Sequence, residues 1–548
     1  MTDVKSLDNN DGQEVLVPEL FNIASACLHL DEPGFDFTQT ALIIDDADTG
    51  VSSMTYGQLN DESERFAMAL RELGVVAGER VMLWLPNCLE FPVSFFATLK
   101  LGAVAVPASL MLTGDEIDYL AADSGARVLV TTPTLWSRLY AHNPAQNRLE
   151  QVVLVGESVD GKAALSQAVH CFNALLEAQL PSIEMTSMPS MHPTRADDAA
   201  YLVYTSGTTG YPKGVLHAHR ALIGRLPASR YWFDYAEEGD RILHSGKFNW
   251  TYVLGTALMD PLYLGKSVVL YEGEAGAETW PRLIAKHECS IFIGVPTIYR
   301  QIVQKTDAVK ADVPSLRYCM SAGEHLSDEM LSAWRARFGQ DIYEAIGMSE
   351  CSYYLSQHSS RPIRPGAAGF PQQGHQIALL DKDMNPVGVD EEGMLCIQLE
   401  DPGLFIEYWQ NEQETQNSRR NGYFMTGDYA RRDEDGYIWF LGRKDDLINS
   451  FGYRLSPHEI ERVLKAHPHV ADCVVIGEEV DAGKVVVTAC VIPAHGLTII
   501  NDDLKAYAVE HLASYKVPKS IRIMETFPRT ANGKVMRRAL KQGYTSSH

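Results

Sequence analysis

Between Thr55 and Val130 the chain alternates between two hydrophobic periods, and this alternation limits its possible folds more than any other feature. In Thr55–Leu73 the apolar residues Leu59, Phe66, Ala69, Leu70 and Leu73 recur at helical spacing, and Gly74 closes the run. Arg80–Leu85 is a short apolar run ended by Pro86, as suits a buried strand. Phe91–Leu101 reads as helix, Ala103–Val106 as strand, Ile117–Asp123 as helix and Ala126–Val130 as strand. Strands separated by helices pair in parallel, so this order predicts an α/β fold with a largely parallel sheet. Gln151–Val155, Ala200–Tyr204, Ser267–Tyr271, Ile291–Gly294 and Leu316–Ser321 continue the strand series.

From Ala368 the texture changes. Gln376–Leu380, Gly393–Leu399 and Tyr437–Phe440 are short strands set between Gly, Pro and Asp, which predicts a small β-rich subdomain. After Gly442 a compact tail follows, with helices at His458–Lys465 and Leu504–Leu512 and strands at Cys473–Ile476 and Val485–Ile492. The expected organisation is a polar arm over 1–18, a large N-terminal domain of α/β subdomains plus the β-rich unit over 19–444, and an α+β C-terminal domain over 445–548. With 45% hydrophobic and 22% charged residues, wholesale disorder is excluded. Lys and Arg total 47 against 71 Asp and Glu, a net charge of −24, which disfavours broad nucleic-acid binding. A small anion would need local donors to hold it against that field. The nine cysteines (Cys27, Cys88, Cys171, Cys289, Cys319, Cys351, Cys396, Cys473, Cys490) have no metal-ligand spacing and are odd in number, so neither a disulfide framework nor a zinc module is expected. Asp3, Asp8, Asp11 and Glu14 give the N-terminus the wrong charge for a signal peptide. No apolar run approaches membrane-spanning length, so a cytoplasmic location is expected.

The segment Tyr204–Gly214, YTSGTTGYPKG, carries the most chemistry. Thr205, Ser206, Thr208 and Thr209 supply hydroxyls, Gly207 and Gly210 let backbone N–H groups approach an anion, and Lys213 adds a point charge. Its spacing is not that of GxxxxGK[ST]. A Gly/Ser/Thr loop alone reads as a surface turn; one that follows a buried strand and ends in Pro-Lys-Gly points to phosphate. His217 and His219 stand at i, i+2 without a third ligand nearby and read as structural.

This loop resembles the signature of the adenylate-forming superfamily, which contains acyl-CoA synthetases, peptide-synthetase adenylation domains and firefly luciferase. Further segments match in the same order: Ser321–His325 (SAGEH), Glu344–Glu350 (EAIGMSE), Tyr423–Asp428 (YFMTGD), Gly442–Asp446 (GRKDD), Gly452–Glu461 (GYRLSPHEIE) and Pro528–Lys534 (PRTANGK). The resemblance spans roughly residues 20–540. It implies that a carboxylate attacks the α-phosphate of ATP, releasing pyrophosphate and leaving an acyl-adenylate. Glu350 would hold Mg²⁺ and Ser349 would donate to the α-phosphate. Gly323, Glu324, His325, Glu344, Ala345, Ile346, Gly347 and Met348 would border the nucleotide. Asp428 would accept the ribose hydroxyls, with Arg443 on the hinge side; alone, the TGD triplet would read as a plain turn. Lys534 would bridge carboxylate and α-phosphate, although Arg537 and Arg538 nearby also suit an ordinary exposed basic stretch.

The same resemblance implies a second step, in which the mobile C-terminal domain turns about Asp445. That turn withdraws Lys534 and brings in Phe451 and Gly452 beside a coenzyme A tunnel, with Arg454 on the nucleotide side. The acyl pocket maps to Trp250, Thr251, Tyr252, Ala322 and Gly347, with Trp250 itself reading as a core aromatic. Glycine at 347, where acetyl-CoA synthetases have tryptophan, implies room beyond an acetyl group. That glycine and the SAGE tetrapeptide resemble those of benzoate–CoA and medium-chain ligases. No basic residue maps to the pocket, so an apolar monocarboxylate is expected. Glu344–Ala345 replaces the family's Tyr-Gly, Ser349 its Thr, and Arg529 its Lys. The expected function is therefore an AMP-forming ligase using ATP, Mg²⁺ and CoA, with homodimer formation left open. Two alternatives are a stand-alone enzyme loading a carrier protein and a non-catalytic nucleotide sensor. The chain closing soon after Lys534 favours free CoA, and Lys213, Glu350, Asp428 and Lys534 together speak against a sensor.

Overall fold

The computed structural model describes residues 16–140, 149–156, 168–179, 191–205, 212–235, 237, 239–323, 326–443, 446–450, 453–481, 484–494, 496–529 and 535–542. Two large, mostly parallel sheets dominate. One has eight strands in the order Glu407–Tyr408, Lys213–Ala218, Ala199–Thr205, Val104–Pro107, Arg80–Trp84, Val128–Thr131, Gln151–Leu154 and Ala168–Cys171. Its pairings are parallel from Ala199–Thr205 onward, and antiparallel where Lys213–Ala218 joins. The other has nine strands. Six of them, Ile342–Ile346, Tyr318–Ala322, Ile291–Gly294, Arg241–His244, Ser267–Glu272 and Thr40–Asp46, lie side by side in parallel.

The predicted alternation holds with boundary shifts of one to three residues. The first helix of the alternation runs Tyr56–Glu72, because Thr55 and Gln58 form a reciprocal capping box at its start. Gly74, at φ +89°, ends that segment in a conformation side chains disfavour. The helix Glu90–Lys100 is buried along nearly its whole length, and it shares one core with residues of both sheets, Val81 and Ala105 of one and Ile242 and Val268 of the other. Strands covered on both faces read as continuous apolar runs, which is why Arg80–Trp84 and Ile291–Gly294 were legible. The hairpin Thr40–Asp46 and Gly50–Thr55 lies ahead of the first predicted element; its second strand is mostly exposed and polar.

The β-rich subdomain is an antiparallel sheet of Ile377–Leu380, Gly393–Gln398, Tyr423–Arg432, Arg419–Arg420 and Ile438–Arg443. A separate C-terminal domain is built on the strands Val470–Asp481, Lys484–Pro493 and Ser520–Ile523, with the helices Pro457–Lys465 and Asn501–His511. It has its own apolar core around Ile460, Leu464, Val475 and Leu504.

The structure speaks against two alternatives set beside the family resemblance. Thr426-Gly427-Asp428 is not a turn: it lies inside the ten-residue strand Tyr423–Arg432, where pairing with Ile438–Arg443 sets Asp428 opposite Arg443. Arg537 is not exposed; it is mostly buried and holds both carboxylate oxygens of Glu461, at 2.7 and 2.9 Å. Val17, at the end of the predicted polar arm, is buried beside Ala196 and Ile223.

Candidate active site

Parallel α/β sheets present ligands at the carboxyl ends of their strands. Three such ends carry the segments singled out in the sequence: Ala199–Thr205, Tyr318–Ala322 and Ile342–Ile346. Ala199–Thr205 pairs antiparallel with Lys213–Ala218, and Thr205 stands opposite Lys213. The two strands thereby hold the ends of the glycine-rich segment side by side. Ser206, Gly207, Thr208, Thr209 and Gly210 lie outside the described residues, as do Glu324, His325, Asp445, Phe451, Gly452, Lys534 and the side chain of Arg454.

Lys213 Nζ stands 3.8 Å from the centroid of the Tyr408 ring and 3.3 Å from Glu414 Oε1. The Tyr408 hydroxyl donates to Glu350 Oε1 at 2.8 Å. Glu350 is buried, and its carbonyl accepts from Phe405 N at 2.8 Å. One residue earlier, the Ser349 carbonyl accepts from His217 Nε2 at 2.7 Å. The turn after Ile342–Ile346 is therefore tied down on two sides.

Across the site, Arg443 Nε lies 3.4 Å from Asp428 Oδ1, and its Nη2 donates to Thr426 O at 3.0 Å. Burial works to lower the Arg443 pKa, but Asp428, Glu350 and Tyr354 outweigh it and raise it. The same charges bear on Tyr354. Its buried hydroxyl has no hydrogen-bond partner among the described residues, and burial followed by Asp428 drives its pKa well up. Lys213, Glu350, Asp428 and Arg443 thus come together from four separate elements. Glu344 differs: its carboxylate accepts from Leu326 N at 2.7 Å and so braces the chain just after the SAGEH segment. Gly323, in that segment, takes φ +98°.

The predicted acyl wall is aromatic. The Tyr252 ring centroid lies 5.4 Å from Trp250, 5.7 Å from Tyr353 and 5.0 Å from His244. Ala322 and Ala345 are paired in register and buried in the same core as Tyr252 and Tyr353, while Thr251 opens the helical run that carries Tyr252. The reason given for Gly347 changes. A Cβ there would stand 2.9 Å from Tyr353 N and 3.0 Å from the Ser352 carbonyl carbon. Backbone contact already demands glycine, so the residue does not by itself measure the length of an acyl chain.

Three features lie beyond the sequence reading, and a fourth gains its partner. Tyr408 is an ordinary aromatic in the text; only strand pairing with Lys213–Ala218 brings it beside the site. His217, read as structural, has that part here and holds the Ser349 carbonyl. Behind the acyl wall, the wholly buried Arg225 pairs with Asp260 and donates to Ser352 Oγ. Finally, Cys351, His375 and Asp401 gather in the core, with His375 Nδ1 2.7 Å from Asp401 Oδ2. Cysteine spacing along the chain gave no hint of this cluster.

Two buried histidines give a pH expectation. His219 Nδ1 accepts from Ile23 N at 3.1 Å, and His244 Nδ1 accepts from Gly246 N at 3.0 Å, so neither nitrogen can take a proton without losing that bond. Burial pushes both pKa values down to about 3. The unfolded chain protonates these rings near pH 6.5, so stability falls as the pH drops from there toward 3, by about 1.4 kcal/mol per pH unit per histidine. His219→Asn should flatten a plot of melting temperature against pH below 6.5 by one histidine's share. An unchanged slope would remove His219 from this account.

Comparison with known proteins identifies the family. The family described as AMP-binding enzyme matches residues 37–409, and the AMP-binding enzyme C-terminal domain matches residues 459–534. The benzoate–CoA ligase of Thauera aromatica is 30% identical over 97% of this chain and 98% of its own length. The mitochondrial acyl-coenzyme A synthetase ACSM3 of Mus musculus is 28% identical over 96% of this chain and 91% of its own. Among solved structures, the anthranilate CoA ligase AuaEII in complex with anthranoyl-AMP superposes with a TM-score of 0.84 at 30% identity, covering 96% of this chain and 98% of that one. A benzoate CoA ligase from Burkholderia xenovorans LB400 gives 0.82 at 29% identity, covering 95% and 100%.

Proposed function

The chain belongs to the AMP-binding enzyme family, and from that membership we propose that it is an AMP-forming carboxylate–CoA ligase acting on an aryl or medium-chain acid. In the first step the acid's carboxylate oxygen bonds to the α-phosphorus of ATP and pyrophosphate leaves. In the second, the thiol sulfur of CoA bonds to the acyl carbon, AMP leaves, and the thiol proton passes to solvent. The observation that carries this reading is the convergence of Lys213, Glu350, Asp428 and Arg443, which gathers cationic and anionic groups on one face of an otherwise acidic protein.

Two anions meet in the first step, so preorganised donors and cations dominate its catalysis. Lys213 and the hydroxyls and backbone of Thr205–Gly210 hold the phosphates. Ser349 offers its hydroxyl to the α-phosphate while His217 fixes its backbone. Asp428 takes the ribose hydroxyls, with Arg443 beside it. Glu350 suits Mg²⁺: a buried carboxylate, with one oxygen engaged by Tyr408, is the hard oxygen donor that this ion prefers. When bound, Mg²⁺ neutralises charge on the phosphates as pyrophosphate departs. Gly323 and residues 344–348 border the adenine. The ring-lined wall of Trp250, Tyr252 and Tyr353 favours a flat or apolar acid body. For the thiol step, rotation about Asp445 withdraws Lys534 and brings Phe451 and Gly452 beside the coenzyme A tunnel, with Arg454 on the nucleotide side.

The test is a screen of AMP release and acyl-CoA formation across benzoates, substituted benzoates and straight-chain acids of increasing length. CoA-dependent AMP release with at least one aryl or medium-chain acid is expected. Adenylation that proceeds with every such acid while no acyl-CoA forms would instead favour a carrier-protein acceptor.

A further inference from the structure

Tyr408 touches both charged arms of the site, and neither the sequence motifs nor the reaction assigns it a part. It lies on the two-residue strand Glu407–Tyr408, paired antiparallel with Lys213–Ala218, and Tyr408 stands opposite Val215. Its position is locked further: its backbone N bonds Thr415 Oγ1 at 2.9 Å, and its ring packs on Phe405 at 4.8 Å. The side chain is buried, with the ring face 3.8 Å from the Lys213 ammonium and the hydroxyl 2.8 Å from Glu350 Oε1. A phenol and a carboxylate can form this bond only with the phenol as donor when the carboxylate is ionised.

We propose that Tyr408 is a positioning residue that serves two groups at once, its hydroxyl aiming the Glu350 carboxylate at the metal and its ring seating the Lys213 ammonium for the phosphates. The proposal rests on the reading of Glu350 as the magnesium ligand and Lys213 as a phosphate contact. Its physical basis is a division of labour within one side chain. A charge-assisted hydrogen bond is directional, so it fixes which carboxylate oxygen remains free for the ion. A cation over a ring face is held by the quadrupole and spends no donor on a competing oxygen there, so the ring seats Lys213 while leaving N–H donors for anionic oxygens. Glu414, at 3.3 Å and half-exposed, is the competing partner from which a phosphate would have to draw the ammonium.

The two contacts can be separated by substitution. Tyr408→Phe keeps the ring and deletes the donor; Tyr408→Leu deletes both. The readout is the dissociation constant of ATP by isothermal titration calorimetry on the full-length protein, in excess Mg²⁺ and again in EDTA, so turnover is not involved. With Tyr408→Phe, ATP should bind about ten- to a hundredfold more weakly in Mg²⁺ and unchanged in EDTA, the size expected for one hydrogen bond to a charged group. With Tyr408→Leu, binding should weaken in both media. A merely structural tyrosine would weaken both media equally in the Phe variant, or neither, and either result overturns the proposal. Glu350→Gln separates the two levels of the argument. If it leaves the magnesium-dependent gain intact, Glu350 is not the metal ligand and the proposal falls with that reading. If it removes the gain while Tyr408→Phe does not, only the part given to Tyr408 falls. Melting curves of both Tyr408 variants within a few degrees of wild type establish that the titrations report on folded protein.

Discussion

Lys534→Ala should lower acyl-adenylate formation by about 10²–10³ in rate, the usual cost of removing one aimed donor from a developing anion. Thioesterification of supplied acyl-adenylate should stay near wild type. Uniform binding cannot produce such a split, because a residue engaged in both steps would depress both. Lys534 itself lies outside the described residues, but the chain on either side of it is well anchored. Arg529 and Val535 pair as an antiparallel bridge, and Met536 N bonds Pro528 O at 2.8 Å. Three residues beyond Lys534, Arg537 grips the buried Glu461, whose Oε1 also accepts from Val475 N at 2.7 Å. Burial works against that carboxylate, yet Arg537 and His458 hold its pKa far below the ordinary range. Arg537 thus ties the chain that follows the lysine to the helix Pro457–Lys465 and the sheet behind it, within the C-terminal domain. Isotope exchange between pyrophosphate and ATP measures the first step alone. Normal exchange in Lys534→Ala would remove the lysine from adenylation, and equal loss in both half-reactions would remove the idea of alternation.

How much of this could be read from the residues alone depended on whether the signal was local. The phosphate segment, the TGD triplet and the PRTANGK segment are contiguous, and contiguous chemistry survives without a fold. The strands at Arg80 and Ile291 were legible because burial on both faces leaves an unbroken apolar run. Tyr408 was not, since its meaning arises from a partner strand far away in sequence. Taken alone, Thr426-Gly427-Asp428 reads as a turn because Gly and Asp are turn formers. In the fold, Gly427 sits at φ +77°, and a Cβ there would meet Arg443 Nη2 at 3.3 Å; the glycine admits the arginine within a strand. Gly347 carries a further constraint that no local pattern announces, since a Cβ there would meet the backbone of residues 352–353.

Buried charge was the hardest feature to foresee, because an Arg or Asp in a sequence reads by default as a solvated one. Arg225 and Asp260 are each only 3% exposed, joined by Nε–Oδ1 at 2.6 Å and by a second, parallel bond. The helix opposite makes room for them. Gly255 lies where any Cβ would overlap the guanidinium, in the wide-turned stretch Leu254–Met259 that precedes Pro261. Arg225 also donates to Ser352 Oγ, and Ser352 belongs to the turn that presents Ser349 and Glu350. Arg225→Met should therefore destabilise the N-terminal domain by about 3–5 kcal/mol, because Asp260 is left buried without its counter-charge. Arg225→Met with Asp260→Leu should recover much of that loss, since an apolar pair avoids the desolvation cost. The double variant should still adenylate slowly, because the Ser352 anchor is gone while the fold is restored. Urea titration followed by tryptophan fluorescence, together with pyrophosphate exchange, separates the two effects. A single variant within 1 kcal/mol of wild type would mean that water or a neighbour relieves Asp260. A restored double variant with full exchange activity would mean that the pair supports the fold and leaves the catalytic turn to its other tethers, His217 and the Phe405 amide.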